Sequence, residues 1–472
     1  MSKCSQLRRV LSGLLLATLL WSYAPAAMAA PSAVANTPSA DPDEEIVYTD
    51  NNGVIRVLDT RVTGSNPEVK WTSPDGNWRA IALGDVNNDG DQEIIAVGGG
   101  SNDGRLTIFD PVASNPPNPE QKINGIPWEI LYQTSVPGSP QLVATGNFDP
   151  NVPGDEIMYL YELRDADKVH EDDFLRLVVL KADSPTPTGR GWQQHFTRDF
   201  SEVWERIAVG NLDGQGTDEF GLVAKDSNNM KVFKVDNGAS RILEYGSSSR
   251  PPQAIAMGAW EGGAVDFLAW GREADPPLGS LYVQRWNSDG SFGDVLAETL
   301  LPNPDALFFA QINSNTDAEL VVLRDVPSDS NSPRMIVRGR KQSDIPRELE
   351  QRLDSDNGYR IGNAGDIDGD GMDEIVLARD NRILVFYEPN VSAKTNNYDL
   401  STNRRNLVVG DLDKNGFISG PQFAVSRSTV ETVLEAGGLG KSEYITLTNE
   451  TTAEAIPFVV TTVGNPSWLT VT

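Results

Sequence analysis

The sequence predicts an all-β protein: a seven-bladed β-propeller closed by both termini, followed by a partial β-sandwich. Three observations carry this. A loop phrase recurs along the chain, short alternating strands fill the intervals, and the first and last pieces of the repeat complement each other. The phrase is a β-rich run, then Gly or Ala, an acidic loop, and an acid followed by apolar residues. Its clearest copies are IALGDVNNDGDQEIIAVG from Ile81 and IGNAGDIDGDGMDEIVLA from Ile361, with IAVGNLDGQGTDEFGLVA from Ile207 as a third. VATGNFDPNVPGDEIMYL from Val143 and FFAQINSNTDAELVVLR from Phe308 are weaker. IAMGAWEGGAVDFLAWG from Ile255 keeps the strands and lacks the loop acids, and VVGDLDKNGFISG from Val408 is the seventh copy.

Between the loops, GRLTIFD, MKVFKVD, SLYVQRW and RILVFYE alternate apolar and polar residues, the period of half-buried strands. IPWEILYQT, GWQQHFTRDF and RILEYG supply further strands, so each unit offers about four, as a propeller blade requires. The best helical pattern, RELEQRL from Arg347, reads equally as an outer strand. EEIVYTDNNGVIRVLDT from Glu44 matches DEIVLARDNRILVFYEP from Asp373, the part of a unit that follows its loop. The last loop has its preceding strand, RNLVVGD, and no matching strands after it. One blade built from both termini completes the seven and leaves no exposed sheet edge.

The remaining segments follow in order. Lys3, Arg8 and Arg9, the apolar run from Val10 to Leu20 and Ala27-Met28-Ala29 form a signal peptide over 1–29. A Pro/Ala/Ser-rich linker covers 30–43, the propeller 44–420, and a partial Ig-like sandwich 421–472. No later stretch is apolar enough to cross a membrane. The expected localisation is secreted, cell-surface or periplasmic.

Cys4, the single cysteine, sits inside the signal, which excludes disulfides and thiol catalysis from the mature chain. Loss of Lys3, Arg8 and Arg9 takes the formal net charge from −28 to −31. That sign opposes binding to nucleic acid or anionic lipid. A chain that is 39% hydrophobic with ten tryptophans is not disordered.

The acids are clustered in loops, as cation binding requires. Asp85, Asn87 and Asp89 are spaced by two, and Gly90 gives the turn its freedom. The carbonyl of Asp91 and the carboxylate of Glu93 complete a shell of oxygens of the kind calcium takes. An EF-hand is excluded, because loop position twelve is Ala96 or Leu377 and both flanks are strands. The closing acid falls instead at position nine: Glu93, Glu219, Glu319 and Glu374. In the shared blade, Asp411, Asp413 and Asn415 hold positions one, three and five, and Glu45 falls at position nine from the other terminus. One calcium held by both ends is expected there. The alternatives are a site made by Asp411–Asn415 alone, or no site.

This spacing resembles the FG-GAP repeats of integrin α-subunit propellers and the VCBS repeats of bacterial secreted proteins, over roughly residues 44–420. The resemblance implies that positions one, three, five, seven and nine coordinate calcium, position seven through its carbonyl. On that basis Asp366, Asp368, Asp370, Met372 and Glu374 form the most acidic site, and Asn211, Asp213, Gln215, Thr217 and Glu219 a less acidic one. Gln311, Asn313 and Asn315 bring neutral oxygens, the Asn147 loop carries an insertion and two prolines, and the Gly258 loop has too few donors. At the first two, a metal-free Asx/Gly turn is an equal reading. The ending NPSWLTVT resembles the middle of the Ig-like modules called BACON.

The functional expectation is a monomeric, non-enzymatic binding or adhesion scaffold for an extracellular protein or glycan, with calcium structural. His170 and His195 sit on a charged hairpin and an outer strand, and no nucleophile elbow, P-loop or zinc signature occurs. Trp78 and Trp204 are expected in packing rather than on sugars. The alternative is a glycan-processing enzyme, a polysaccharide lyase or hydrolase on a propeller.

Overall fold

The first strand of each repeat ends at its loop, the second begins with the acid after it, and the two pair antiparallel. In the computed structural model this antiparallel pair starts every blade, with Phe267 in place of the acid in blade four and strands from the two termini in blade seven. The structure describes residues 44–59, 68–99, 104–110, 122–123, 126–163, 174–183, 191–224, 228–235, 238–246, 250–263, 265–273, 279–300, 304–314, 316–324, 334–340, 359, 361–379, 382–387, 394–399, 404–412, 423–425 and 447–449. The expected signal, the linker, RELEQRL, His170, Asp413 and Asn415 lie outside them.

Seven antiparallel sheets form a seven-bladed propeller with no helix among the described residues. Blade one is Trp78–Gly84, Glu93–Gly98, Gly104–Asp110 and Glu129–Val136. Blade two is Ser139–Gly146, Glu156–Leu163, Phe174–Ala182 and Trp192–Phe200; blade three is Trp204–Gly210, Glu219–Ala224, Asn229–Val235 and Ala239–Gly246. Blade four is Pro252–Gly258, Phe267–Glu273, Gly279–Trp286 and Phe292–Leu300. Blade five shows Pro304–Ala310, Glu319–Arg324 and Met335–Arg338; blade six is Ile361–Gly365, Glu374–Arg379, Arg382–Tyr387 and Lys394–Asp399. Blade seven joins Arg404–Gly410 from the C-terminal side to Glu45–Asp50, Ile55–Asp59 and Glu68–Thr72 from the N-terminal side.

Each first strand packs against the first strand of the next blade, and the circuit closes from Arg404–Gly410 to Trp78–Gly84. The cores therefore lie between blades. Ile46 and Tyr48 pack with Val376 and Val385 of blade six, while Val47, Val57 and Trp71 pack with Trp78, Ile94 and Phe109 of blade one. Alternate residues of one strand thus face different neighbours. That explains why Glu45–Asp50, Glu93–Gly98, Glu219–Ala224 and Glu319–Arg324 are buried at every position. Burying a large apolar side chain contributes about 1.5–3 kcal/mol, and Trp71, Trp78 and Phe109 meet edge-on at 5.3 and 5.6 Å to close the ring. Trp78 and Trp204 are each 1% exposed, so neither ring is available to a sugar. Of the expected sandwich, Phe423–Val425 and Leu447–Asn449 form an antiparallel pair.

Candidate functional site

Position nine is fixed by register. Glu93 pairs with Gly84, Glu156 with Gly146, Glu219 with Gly210, Glu319 with Ala310 and Glu374 with Gly365. Each carboxylate turns back under its loop and accepts a hydrogen bond from the position-two N–H: Val86 to Glu93 (2.9 Å), Phe148 to Glu156 (2.6 Å), Leu212 to Glu219 (2.8 Å), Ile312 to Glu319 (3.3 Å) and Ile367 to Glu374 (2.8 Å). In blade seven Glu45 pairs with Gly410 and accepts from Leu412 N at 3.1 Å. The N-terminal glutamate does for the C-terminal loop what the others do within their own repeats.

In blade one the turn passes through Asn88 and Gly90 at φ of 58° and 97°. Asp85 accepts from Asp89 N and Gly90 N at 3.0 and 3.2 Å, and Asn87 donates to Glu93 at 2.7 Å. Carboxylate oxygens of Asp89, Glu93 and Asp110 come within 4.8 Å of one another. Burial pushes Glu93 well above the usual carboxylate range, and the charges of Asp110, Asp89 and Asp85 add to it. Asp91, expected to offer its carbonyl, is 1% exposed. Asp110 was not among the residues expected from the spacing.

Blade six gathers Asp366, Asp368 and Glu374 within the same 4.8 Å. Its turn uses Gly369 and Gly371 at φ of 76° and 86°, and Asp366 accepts from Gly369, Asp370 and Gly371 N–H at 2.8, 3.0 and 2.8 Å. Burial, then the charge of Asp368, raises Glu374 to about 9, and burial raises Asp366 to about 6. Asp370 is exposed, outside this group, and accepts from Met372 N at 2.9 Å. Like charges gathered around a buried glutamate favour a bound cation, whose field reverses these shifts. An all-oxygen donor set fits calcium.

The loops of blades two, three and four are met by basic groups from outside the loop. In blade three Asn211 accepts from Gly214 N (2.7 Å) and Asp213 from Gln215 N (2.8 Å), while the Lys234 ammonium bonds to Asp213. Gln215 is exposed and Thr217 half-buried. Burial raises Glu219 to about 8, with Asp213 adding and Lys234 opposing. In blade two Lys181 bonds to Asp149 at 2.8 Å and His195 Nδ1 lies 3.9 Å from the same carboxylate. Burial raises Asp149, but hydrogen bonds from Lys181 and Asn151 outweigh it and hold the group at about 2. In blade four Arg285 and Arg340 reach Glu261 at 3.6 and 3.7 Å. In blade five Asn313 donates to Glu319 at 2.5 Å, and burial raises Glu319 to about 7.

A second device links the loops around the ring. The residue before position nine donates its N–H to the position-one carbonyl of the preceding blade. The bonds are Asp155 to Asp85 (2.8 Å), Asp218 to Asn147 (2.7 Å), Asp266 to Asn211 (2.8 Å), Ala318 to Ala259 (3.0 Å), Asp373 to Gln311 (2.8 Å), Glu44 to Asp366 (2.9 Å) and Gln92 to Asp411 (2.9 Å). Four of these residues also accept the position-one N–H on their carboxylates: Asp218 from Asn147 (2.8 Å), Asp266 from Asn211 (2.9 Å), Asp373 from Gln311 (2.7 Å) and Glu44 from Asp366 (3.1 Å). The glycine before the loop makes room: a Cβ on Gly210 would stand 2.7 Å from the Asp266 carboxylate. Sequence reasoning gave that glycine no partner. Its signal was the acid or amide at position eight in six of the seven copies.

No family model and no curated protein matches this chain. Among solved structures, rhamnogalacturonan lyase YesW is similar with a TM-score of 0.39 at 12% identity, covering 75% of this chain and 67% of that one. BBS1N, solved in complex with ARL6DN, gives 0.43 at 10% identity, covering 82% and 93%. At these values neither the lyase activity nor the protein complex carries over to this chain.

Proposed function

We propose that this chain is an exported calcium-binding propeller of the FG-GAP/VCBS type, a scaffold for an extracellular protein or glycan in which calcium is structural. The observation that carries the reading is the gathering of carboxylates at two loops around a buried glutamate, Asp89 and Asp110 with Glu93 in blade one and Asp366 and Asp368 with Glu374 in blade six. Calcium, when bound, supplies the positive charge these groups lack. Glu93 and Glu374 hold the start of the second strand against the loop through the Val86 and Ile367 N–H groups. Asp85 and Asp366 pass the same order to the next blade through their carbonyls. A cation bound only by the folded form stabilises it by mass action, in place of the absent disulfides.

The test is native mass spectrometry with calcium titration on the wild type, Asp89→Asn and Glu374→Gln. Each variant is expected to lose one calcium and the matching rise in melting temperature. A wild type that binds none overturns the metal reading. For the scaffold reading, a glycan array followed by product analysis is expected to give binding without bond cleavage. Cleavage would make the chain a lyase or hydrolase.

A further inference from the structure

In blades one to four, one position on the third strand looks directly onto the loop. The residue after position nine pairs with a residue near the end of the third strand, and the next residue on that strand faces the loop acids. Ile94 pairs with Phe109, so blade one has Asp110 there. Ile157 pairs with Leu180 and Phe220 with Phe233, so blades two and three have Lys181 and Lys234. Leu268 pairs with Gln284, so blade four has Arg285. The three basic residues meet the acid at loop position three in their own blades: Lys181 with Asp149 at 2.8 Å, Lys234 with Asp213, and Arg285 with Glu261 at 3.6 Å. One contact recurs in three blades with three different local sequences. It is a property of the architecture rather than of a chance surface pair.

We propose that Lys181 and Lys234 are built-in cations that stand where a metal would, so that the loops of blades two and three are neutralised by the chain itself and take no calcium. An ammonium offers one positive charge and three donors on a flexible stem, tethered at no cost in concentration. The acids it serves are few: Asp149 and Glu156 in blade two, Asp213 and Glu219 in blade three. In blade one the corresponding set is Asp85, Asp89, Asp91 and Glu93, and the third strand adds Asp110 instead of a base. A calcium ion placed among Asn211, Asp213 and Glu219 would stand against the Lys234 ammonium, which holds the Asp213 oxygen it needs. The Asn211 loop, with its position-nine glutamate and the spacing of a metal site, is therefore set apart from blades one and six by a residue on another strand.

The inference rests on calcium binding in blades one and six, and the test separates the two. Calcium stoichiometry by native mass spectrometry and melting temperature in chelator are measured for the wild type, Asp213→Asn, Lys234→Gln and Lys234→Asp. Asp213→Asn is expected to leave the calcium count unchanged. Lys234→Gln is expected to melt several degrees lower in chelator, to bind one more calcium than the wild type, and to recover with it. Lys234→Asp is expected to bind the same extra ion, and Lys234→Gln serves alone if it does not fold. Loss of a calcium in Asp213→Asn overturns the proposal, as does an unchanged melting temperature of Lys234→Gln in chelator. If no variant binds calcium, the metal reading of blades one and six fails. A lower melting temperature of Lys234→Gln in chelator would then still support the lysine as the loop's counter-ion.

Discussion

Replacing Asp266 by asparagine isolates one of the inter-blade links in a blade whose position nine is Phe267 rather than a glutamate. Asp266 is 3% exposed, accepts from Asn211 N at 2.9 Å, and its second oxygen has no hydrogen-bond partner. Burial raises its pKa to about 7, against the pull of the Asn211 N–H and with the charge of Asp218 adding. The folded protein thus keeps this proton to a higher pH than the unfolded chain, whose aspartates titrate near ~3.9. Its contribution is full below about pH 4 and is lost as pH rises through about 7, so stability falls with rising pH. Between pH 5 and pH 8 the loss is about 2–3 kcal/mol for this single group. Asparagine offers the same carbonyl to Asn211 and has nothing to ionise. Urea unfolding in chelator at pH 5, 6, 7 and 8 is therefore expected to show the wild type losing about 2–3 kcal/mol more than Asp266→Asn across the range. A wild type-to-variant difference that stays constant from pH 5 to 8 would show that this carboxyl does not titrate there, and the reasoning would fail.

Three further outcomes follow from the same geometry. Glu45→Ala is expected to remove one calcium and lower the melting temperature in calcium. It also leaves the Leu412 N–H without its acceptor, a cost of about 1–3 kcal/mol, and an unchanged calcium count would dismiss the closing site. A Cβ on Gly104 would overlap the carbonyl oxygen of Gly138, in the turn between blades one and two, whereas Gly216 has φ of 85° and open space around it. Gly104→Ala is therefore expected to cost about 3 kcal/mol or more, and Gly216→Ala about 1–2 kcal/mol; equal costs in thermal melts would refute the packing argument. Trp78→Ala is expected to cost about 3–5 kcal/mol and to leave the affinity for any bound glycan unchanged, because the ring is buried against Phe109 with Arg105 over its face at 4.1 Å. Loss of glycan affinity without destabilisation would place that tryptophan in a binding site.

The fold was legible because its signals are local. The loop phrase, the alternating strands and the match between Glu44 and Asp373 lie in contiguous stretches, and the pairing of Glu45 with Gly410 follows from aligning them. The hairpin that carries positions one to nine was legible for the same reason. What was not legible depends on register and on neighbouring blades. Asp110, Lys181 and Lys234 face the loops only because Ile94, Ile157 and Phe220 pair with Phe109, Leu180 and Phe233, and no spacing within the loop encodes that. Asp155, Asp218 and Asp373 stand at position eight of their own loops, and their partners, the position-one backbone groups of the preceding blade, appear only once that blade is in place.

The shared blade fixes an order of events. Glu45–Asp50 is the first propeller strand to leave the ribosome, and its inner neighbour, Arg404–Gly410, is the last. Until that strand arrives, Ile46, Val47 and Tyr48 belong to an open edge, and blades one and six each lack a wall. A chain stopped before Arg404 is an open arc rather than a smaller ring. Closing so long a loop costs little more than closing one of half the length, about 0.6 kcal/mol per doubling, so the penalty falls on time and not on final stability. Folding from the N-terminus during synthesis therefore leaves that edge unpaired through nearly the whole of synthesis.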